Sequence, residues 1–145
     1  MFSKACEYGI RATIYIASQS KNRNRVGIKE IASFIDSPAA FTAKILQQLV
    51  KSKVIDSVKG PHGGFEIQLD KLDKICLTDV VRAIDGNDLF SSCVLGLESC
   101  SEAFPCPVHG EFKVIRTELK SLMDGTRVSS LSENLVKGKS FLKTE

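Results

Sequence analysis

Apolar residues recur along the chain in blocks whose spacing changes, and those changes divide it into elements. From Ser3 to about Ser20 the chain reads as a first helix, broadly apolar through Tyr8, Ala12, Tyr15 and Ile16. A polar, basic connector covers 21–25. Ile28, Ile31, Ala32 and Ile35 then fall at the i, i+3, i+4, i+7 positions of one buried helical face. Ser37-Pro38 reads as the start of a third helix, with serine as N-cap and proline at the first helical position, where no donor is missed. That helix buries Phe41, Ile45, Leu46, Leu49 and Val50. Its other side carries Ala39, Ala40, Ala43, Lys44, Gln47, Gln48 and Lys51. Only Asp36 and Ser37 join the two helices, which makes them a helix-turn-helix candidate.

A hairpin is predicted next. Val54, Ile55 and Val58 precede the turn Lys59-Gly60-Pro61-His62-Gly63-Gly64, and Phe65, Ile67 and Leu69 alternate after it with period two. A helix-turn-helix followed at once by a hairpin predicts a winged helix, a mainly α fold with a small β-hairpin. A fourth helix starts at Leu77-Thr78-Asp79, capped by Thr78 and ended by Gly86. From Asn87 to Pro107 periodicity disappears, and a structureless stretch of that length asks for a functional explanation. Phe112, Ile115, Leu119, Leu122 and Met123 then form a helical stripe ending at Asp124-Gly125. Ser130 and Glu133 have capping-box spacing ahead of a short final helix, about 131–136.

The 145 residues fit one domain, or one domain with an appended dimerisation element, and 43% hydrophobic content supplies a core without disulfides. No run approaches the roughly 18 apolar residues of a membrane helix. The apolar patch from Ile10 to Ala17 is interrupted by Arg11 and lacks a following cleavage site, so the expected location is cytoplasmic, with no membrane partner. The net charge of +3 is unevenly spread: from Lys21 to Lys59 eight basic residues face three acidic ones, an excess of five. Such a segment suits a polyanion-facing surface. The B-DNA major groove admits a helix whose exposed residues reach base edges. Lys44 and Gln47 are the side chains best placed to do so, with the small Ala40 and Thr42 allowing close approach. In the wing, Lys59, Gly60, Pro61 and His62 combine donors with backbone that comes near phosphates or the minor groove. The rival reading of the same pattern is a protein-interaction module.

Five cysteines in a cytoplasmic protein argue against a disulfide framework. Cys6 and Cys76 stand alone, whereas Cys93-x6-Cys100-x5-Cys106-x2-His109 gathers three thiols and an imidazole. That donor set suits zinc or an iron–sulfur cluster, and a thiol switch is the third reading. With two histidines, no G-x-S-x-G elbow and no phosphate-binding glycine loop opening a helix, no catalytic arrangement competes, so an enzyme is not expected.

Glu7-Tyr8-Gly9-Ile10-Arg11-Ala12, Lys44-Ile45-Leu46-Gln47-Gln48-Leu49 and Val58-Lys59-Gly60-Pro61-His62-Gly63-Gly64-Phe65 resemble one bacterial family over nearly the whole chain. It is the family of dimeric winged-helix regulators typified by the iron–sulfur cluster regulator, the nitric-oxide-sensing repressor and the cysteine-metabolism repressor (the Rrf-two family). The resemblance implies a homodimer on a palindromic operator in double-stranded DNA, paired through the long helix from about Gly110 to Met123. It implies a repressor gated by an iron–sulfur cluster that responds to iron–sulfur status, redox or nitric oxide. Cys93, Cys100 and Cys106 match the ligand cysteines, with a first gap one residue longer than in the iron–sulfur cluster regulator. His109 matches the fourth ligand of two-iron members, so 2Fe-2S is expected ahead of 4Fe-4S. Glu7, donated by the partner subunit's first helix, is the alternative fourth ligand, and zinc is the alternative metal. His62 replaces a frequent glycine. The expected division is 1–86 as the DNA-binding winged helix and 87–109 as the cysteine-bearing sensor loop. Residues 110–137 follow as dimerisation and closing helices, with 138–145 as a disordered tail.

Overall fold

The computed structural model describes residues 1–144. The first helix, α1 (Lys4–Ser20), is buried on nearly every side from Ala12 to Ser18, because the remaining elements assemble around it. Ser3 caps it by accepting from the backbone N–H of Cys6 at 3.0 Å. Helices α2 (Ile28–Phe34) and α3 (Ala39–Lys51) pack on it, and Ile31, Ile35, Ile45, Leu46 and Leu49 close the main core. The turn between them places Asp36 at φ +53, a left-handed conformation that aspartate tolerates better than most residues.

Pro38, rather than Ser37, occupies the N-cap position of α3. The Ser37 hydroxyl turns instead to the hydroxyl of Thr42, which also donates to the Pro38 carbonyl at 2.9 Å.

Strands β1 (Asp56–Val58) and β2 (Gly64–Glu66) pair antiparallel, with Ser57 opposite Phe65, and form the wing. Val26 bonds Phe65 in both directions, at 3.1 and 2.8 Å, so the wing is moored to the connector after α1. The predicted alternation through Ile67 and Leu69 ends early. Ile67 leaves the ladder and donates to the Ser20 hydroxyl at 2.9 Å, while Leu69 opens the short helix α4 (Leu69–Leu72).

Helix α5 (Leu77–Asp85) is capped at Cys76, not Thr78: the Cys76 N–H donates to the Asp79 carboxylate at 2.9 Å. Thr78 lies inside the helix and bonds Asp124. The stretch expected to lack structure begins with one more turn of helix, α6 (Asp88–Ser91). Helix α7 (His109–Gly125) then runs outward along α5 and α6. The chain returns through Val128, whose N–H meets the Ile75 carbonyl at 2.9 Å, into α8 (Val128–Val136), which packs on α1. Beyond it Leu142 rests against the main core, and Arg11 donates to the carbonyls of Ile35 and Leu142. Among the described residues no helix is long and apolar enough to cross a membrane.

Candidate functional site

Two surfaces carry the residues singled out by the sequence. The first is the outer side of α3 with the wing. An α-helix in contact with a core along one stripe must expose the other, and here that stripe is Ala39, Ala40, Lys44, Gln47, Gln48 and Lys51. Lys44, Gln47 and Ala40 therefore stand where a groove can meet them. Thr42 does not: it is fully buried, its hydroxyl spent on Pro38 and Ser37, and its part is to set the first turn of α3. Lys59, Gly60, Pro61 and His62 are all exposed at the wing tip.

The wing has a neighbour that the sequence reading left out. Arg25 donates to Glu66 at 3.0 Å and to the His62 carbonyl at 3.4 Å. This links the 21–25 connector to the hairpin, and a polar cleft of about 520 Å³ opens between Arg23, Asn24, Arg25 and His62. The basic character of 21–25 was visible in the sequence. Its place beside the wing was not, because that follows from the bonding of Val26 to Phe65.

The second surface is the cysteine loop between α6 and α7. Among its four donor residues Cys93 is buried, with Cys106 in its vicinity. Backbone N–H groups of Leu97 and then Leu95 point at the Cys93 sulfur, and with the Cys106 thiol and the Arg116 charge they hold its pKa below the ordinary value, against the opposing effect of burial. Cys100 and His109 form a close pair, with Sγ 3.4 Å from Nδ1. The far nitrogen of His109, Nε2, is buried without a hydrogen-bond partner: the nearest carboxylate oxygen, on Glu102, lies 3.5 Å away and out of hydrogen-bonding geometry. The Lys113 ammonium, bonded to Glu102, holds that carboxyl below the usual carboxylate range. Cys100, His109, Glu102, Lys113 and Arg116 together line an open cavity of about 540 Å³.

Chemically this donor set fits a thiophilic metal group. It has three thiols, one imidazole with an orphaned buried nitrogen, and backbone N–H groups aimed at a sulfur, as anionic thiolate ligands require. Among the described residues, however, no three His, Cys, Asp or Glu side chains converge as the ligands of one metal ion. Glu7 is exposed on α1 and pairs with Lys4 at 3.3 Å. The remaining cysteines are of another kind. Cys6 is fully buried under α5, and Cys76 is spent on the cap of that helix.

Comparison with known proteins gives a consistent picture. A family model described as "Rrf2: Iron-dependent Transcriptional regulator" matches residues 2–134. An HTH-type transcriptional regulator of Aquifex aeolicus is 33% identical over 134 residues, covering 90% of each chain. The HTH-type transcriptional regulator IscR of Aliivibrio salmonicida is 24% identical, over 86% of this chain and 72% of its own. Among solved structures, CymR, the global cysteine regulator of B. subtilis, superposes with a TM-score of 0.74 at 20% identity, over 92% of this chain and 96% of its own. T. potens IscR superposes at 0.73 and 16% identity, over 97% and 91%. At these identities the solved structures speak for the fold, a winged helix.

Proposed function

The chain belongs to the Rrf2 family of DNA-binding transcriptional regulators, which are not enzymes, and from that premise we propose that it is a repressor whose operator affinity is gated by an iron–sulfur cluster. Cys93, Cys100, Cys106 and His109 would hold the cluster. Residues 1–86 read DNA, 87–109 carry the sensor, and 110–137 pair with a second copy to span a palindromic operator.

The observation that carries this reading is the Cys100–His109 pair, with its orphaned Nε2, in the loop directly ahead of α7. Zinc takes four donors around one point. A two-iron core takes four protein ligands, which three cysteines and one histidine would supply. When bound, the cluster supplies a centre whose state follows iron supply, oxidants or nitric oxide. The chain's own residues do the rest. The loop is anchored to α7 at its end, where the His109 N–H meets the Cys106 carbonyl at 3.0 Å, so a change in loop conformation moves the helix start. On the DNA side, Lys44 and Gln47 read base edges, Ala40 permits close approach, and Lys59, Gly60, Pro61 and His62 hold the backbone.

Anaerobic purification followed by iron, sulfide and zinc analysis tests the gate. Iron and sulfide at about two each per chain, lost in Cys93→Ser and His109→Ala, is the expected result. A metal-free protein that binds its operator at full strength would sink it. For the DNA role, Lys59→Ala should weaken binding to all sequences and lower the salt slope by about one, while Lys44→Ala or Gln47→Ala should shift sequence preference. Binding insensitive to salt would instead mark a protein-interaction module.

The lowered pKa of the Cys93 thiol, with Cys106 in its vicinity, supports a second reading, in which the DNA role stands and the two thiols form a redox switch without a cluster. One solved structure of Staphylococcus aureus CymR, 22% identical with a TM-score of 0.70, is described as an oxidized form. A reversible loss of two thiols on oxidation of iron-free protein distinguishes this case.

A further inference from the structure

The turn that leads from α1 toward the wing is held in one shape. The N–H groups of Asn22 and Asn24 both return to the Gln19 carbonyl, at 3.0 and 3.1 Å, and that of Arg23 meets the Ser20 carbonyl at 2.9 Å. Arg23 stands at φ +58, a left-handed conformation that a bulky residue enters rarely and glycine enters freely. Glycine or asparagine would serve the turn itself better, so the arginine side chain calls for a use of its own.

The neighbouring cations are engaged. Lys21 reaches Glu133 at 3.0 Å, and Arg25 is tied to Glu66 and to the His62 carbonyl. Arg23 is exposed, and among the described residues it makes no ion pair. It lines the polar cleft beside the wing together with Asn24 and His62. The Glu30 carboxylate also borders that cleft, and one of its oxygens accepts from the Tyr15 hydroxyl at 2.8 Å. An unpaired guanidinium with a side-chain amide next to it is a donor set for an anionic oxygen.

We propose that Arg23, with Asn24 beside it, is a further DNA contact and holds a backbone phosphate of the duplex next to the wing. The occupant is duplex DNA because the cleft is continuous with the wing tip through His62, so a strand that meets Lys59 runs on past the connector. Arg25 keeps the two in register by bonding the wing at His62 and Glu66. A phosphate contact carries no sequence information, so Arg23 adds affinity and orientation and leaves base preference to α3. The inference rests on the wing meeting DNA.

Fluorescence anisotropy of the full-length protein on a random-sequence duplex, titrated with salt, tests it. Arg23→Gly suits the backbone conformation already present and should fold as the parent does by circular dichroism. It should weaken binding and lower the salt slope by about one, and Arg23→Lys should restore the slope. Lys74→Ala removes an exposed lysine outside the cleft and should leave the slope unchanged. An unchanged slope in Arg23→Gly beside a lowered one in Lys59→Ala overturns the proposal and leaves the wing as a DNA contact. Unchanged slopes in both overturn the two together. An equal fall in Lys74→Ala also overturns the proposal, since overall charge would then account for the effect. If Arg23→Gly fails to fold, Arg23→Lys and Arg23→Gln decide the matter, and equal slopes in those two overturn it.

Discussion

Cys6 and Cys93 carry the same thiol in opposite surroundings. Burial first, and then the Asp85 carboxylate, push Cys6 from 9.0 up to about 12. Cys93 is lowered by the N–H groups around it. Cys6 is therefore a residue of the core. Tyr15 behaves like Cys6: burial, and then its hydrogen bond to Glu30 at 2.8 Å, raise it from 10.0 to about 12. Both folded values lie above the unfolded ones, so both stabilising contributions are intact below about pH 9. They are lost as pH rises toward 12. Urea unfolding across this window should show falling stability. Cys6→Ala and Tyr15→Phe should each flatten that decline by up to about 1.4 kcal/mol per pH unit, whatever constant offset their packing introduces.

At the scale of elements, the wing depends on close approaches at two glycines: a Cβ on Gly63 would lie 2.1 Å from the carbonyl oxygen of Val58, within the hairpin itself, and Gly64 meets a more distant segment. Gly64 sits at φ +140, and a Cβ there would lie 2.8 Å from the carbonyl oxygen of Val26. Gly64→Ala must either strain the backbone or part the wing from the connector, at a cost of about 1–3 kcal/mol. Chemical denaturation should report the loss, and weaker DNA binding should accompany it. Gly110 gives the contrast: it is helical with nothing within 4 Å of its absent Cβ, so Gly110→Ala should stabilise by about 0.5–1 kcal/mol. The glycine-rich turn was legible in the sequence because turn chemistry is local. That Gly64 admits no side chain was not, since its obstacle is Val26, far along the chain. The same holds for α5, where spacing nominated Thr78 as cap. Cys76 takes that place because its own backbone is drawn into pairing with Arg127.

Taken whole, the molecule leaves α7 half-finished. Among the described residues of that 17-residue helix Met123 is the buried one, while Val114, Ile115 and Leu122 are 57, 55 and 62% exposed. An apolar stripe of this length on an outward helix fits a second copy better than water. Ile115→Glu should keep the fold, since the position is already open, yet sediment as a monomer and bind operator at least tenfold more weakly, because two heads on one palindrome reinforce each other. A dimer that survives the change places the interface elsewhere. The return of α8 onto α1 and the bond from Val128 to Ile75 tie the far end of α7 to the winged helix.

The order of helices, the tight helix-turn-helix, the wing and the isolation of three cysteines in one loop were all determined by the sequence alone. Periodicity and turn residues act within a few positions and need no partner. Tertiary structure decided what depends on direction and on distant segments. It turned Thr42 into the core while Lys44 and Gln47 stayed outside, drew the connector beside the wing, paired Cys100 with His109, and brought Arg116 onto Cys100. Spacing along a loop states which donors are present. How they meet is set by the helices that hold its two ends.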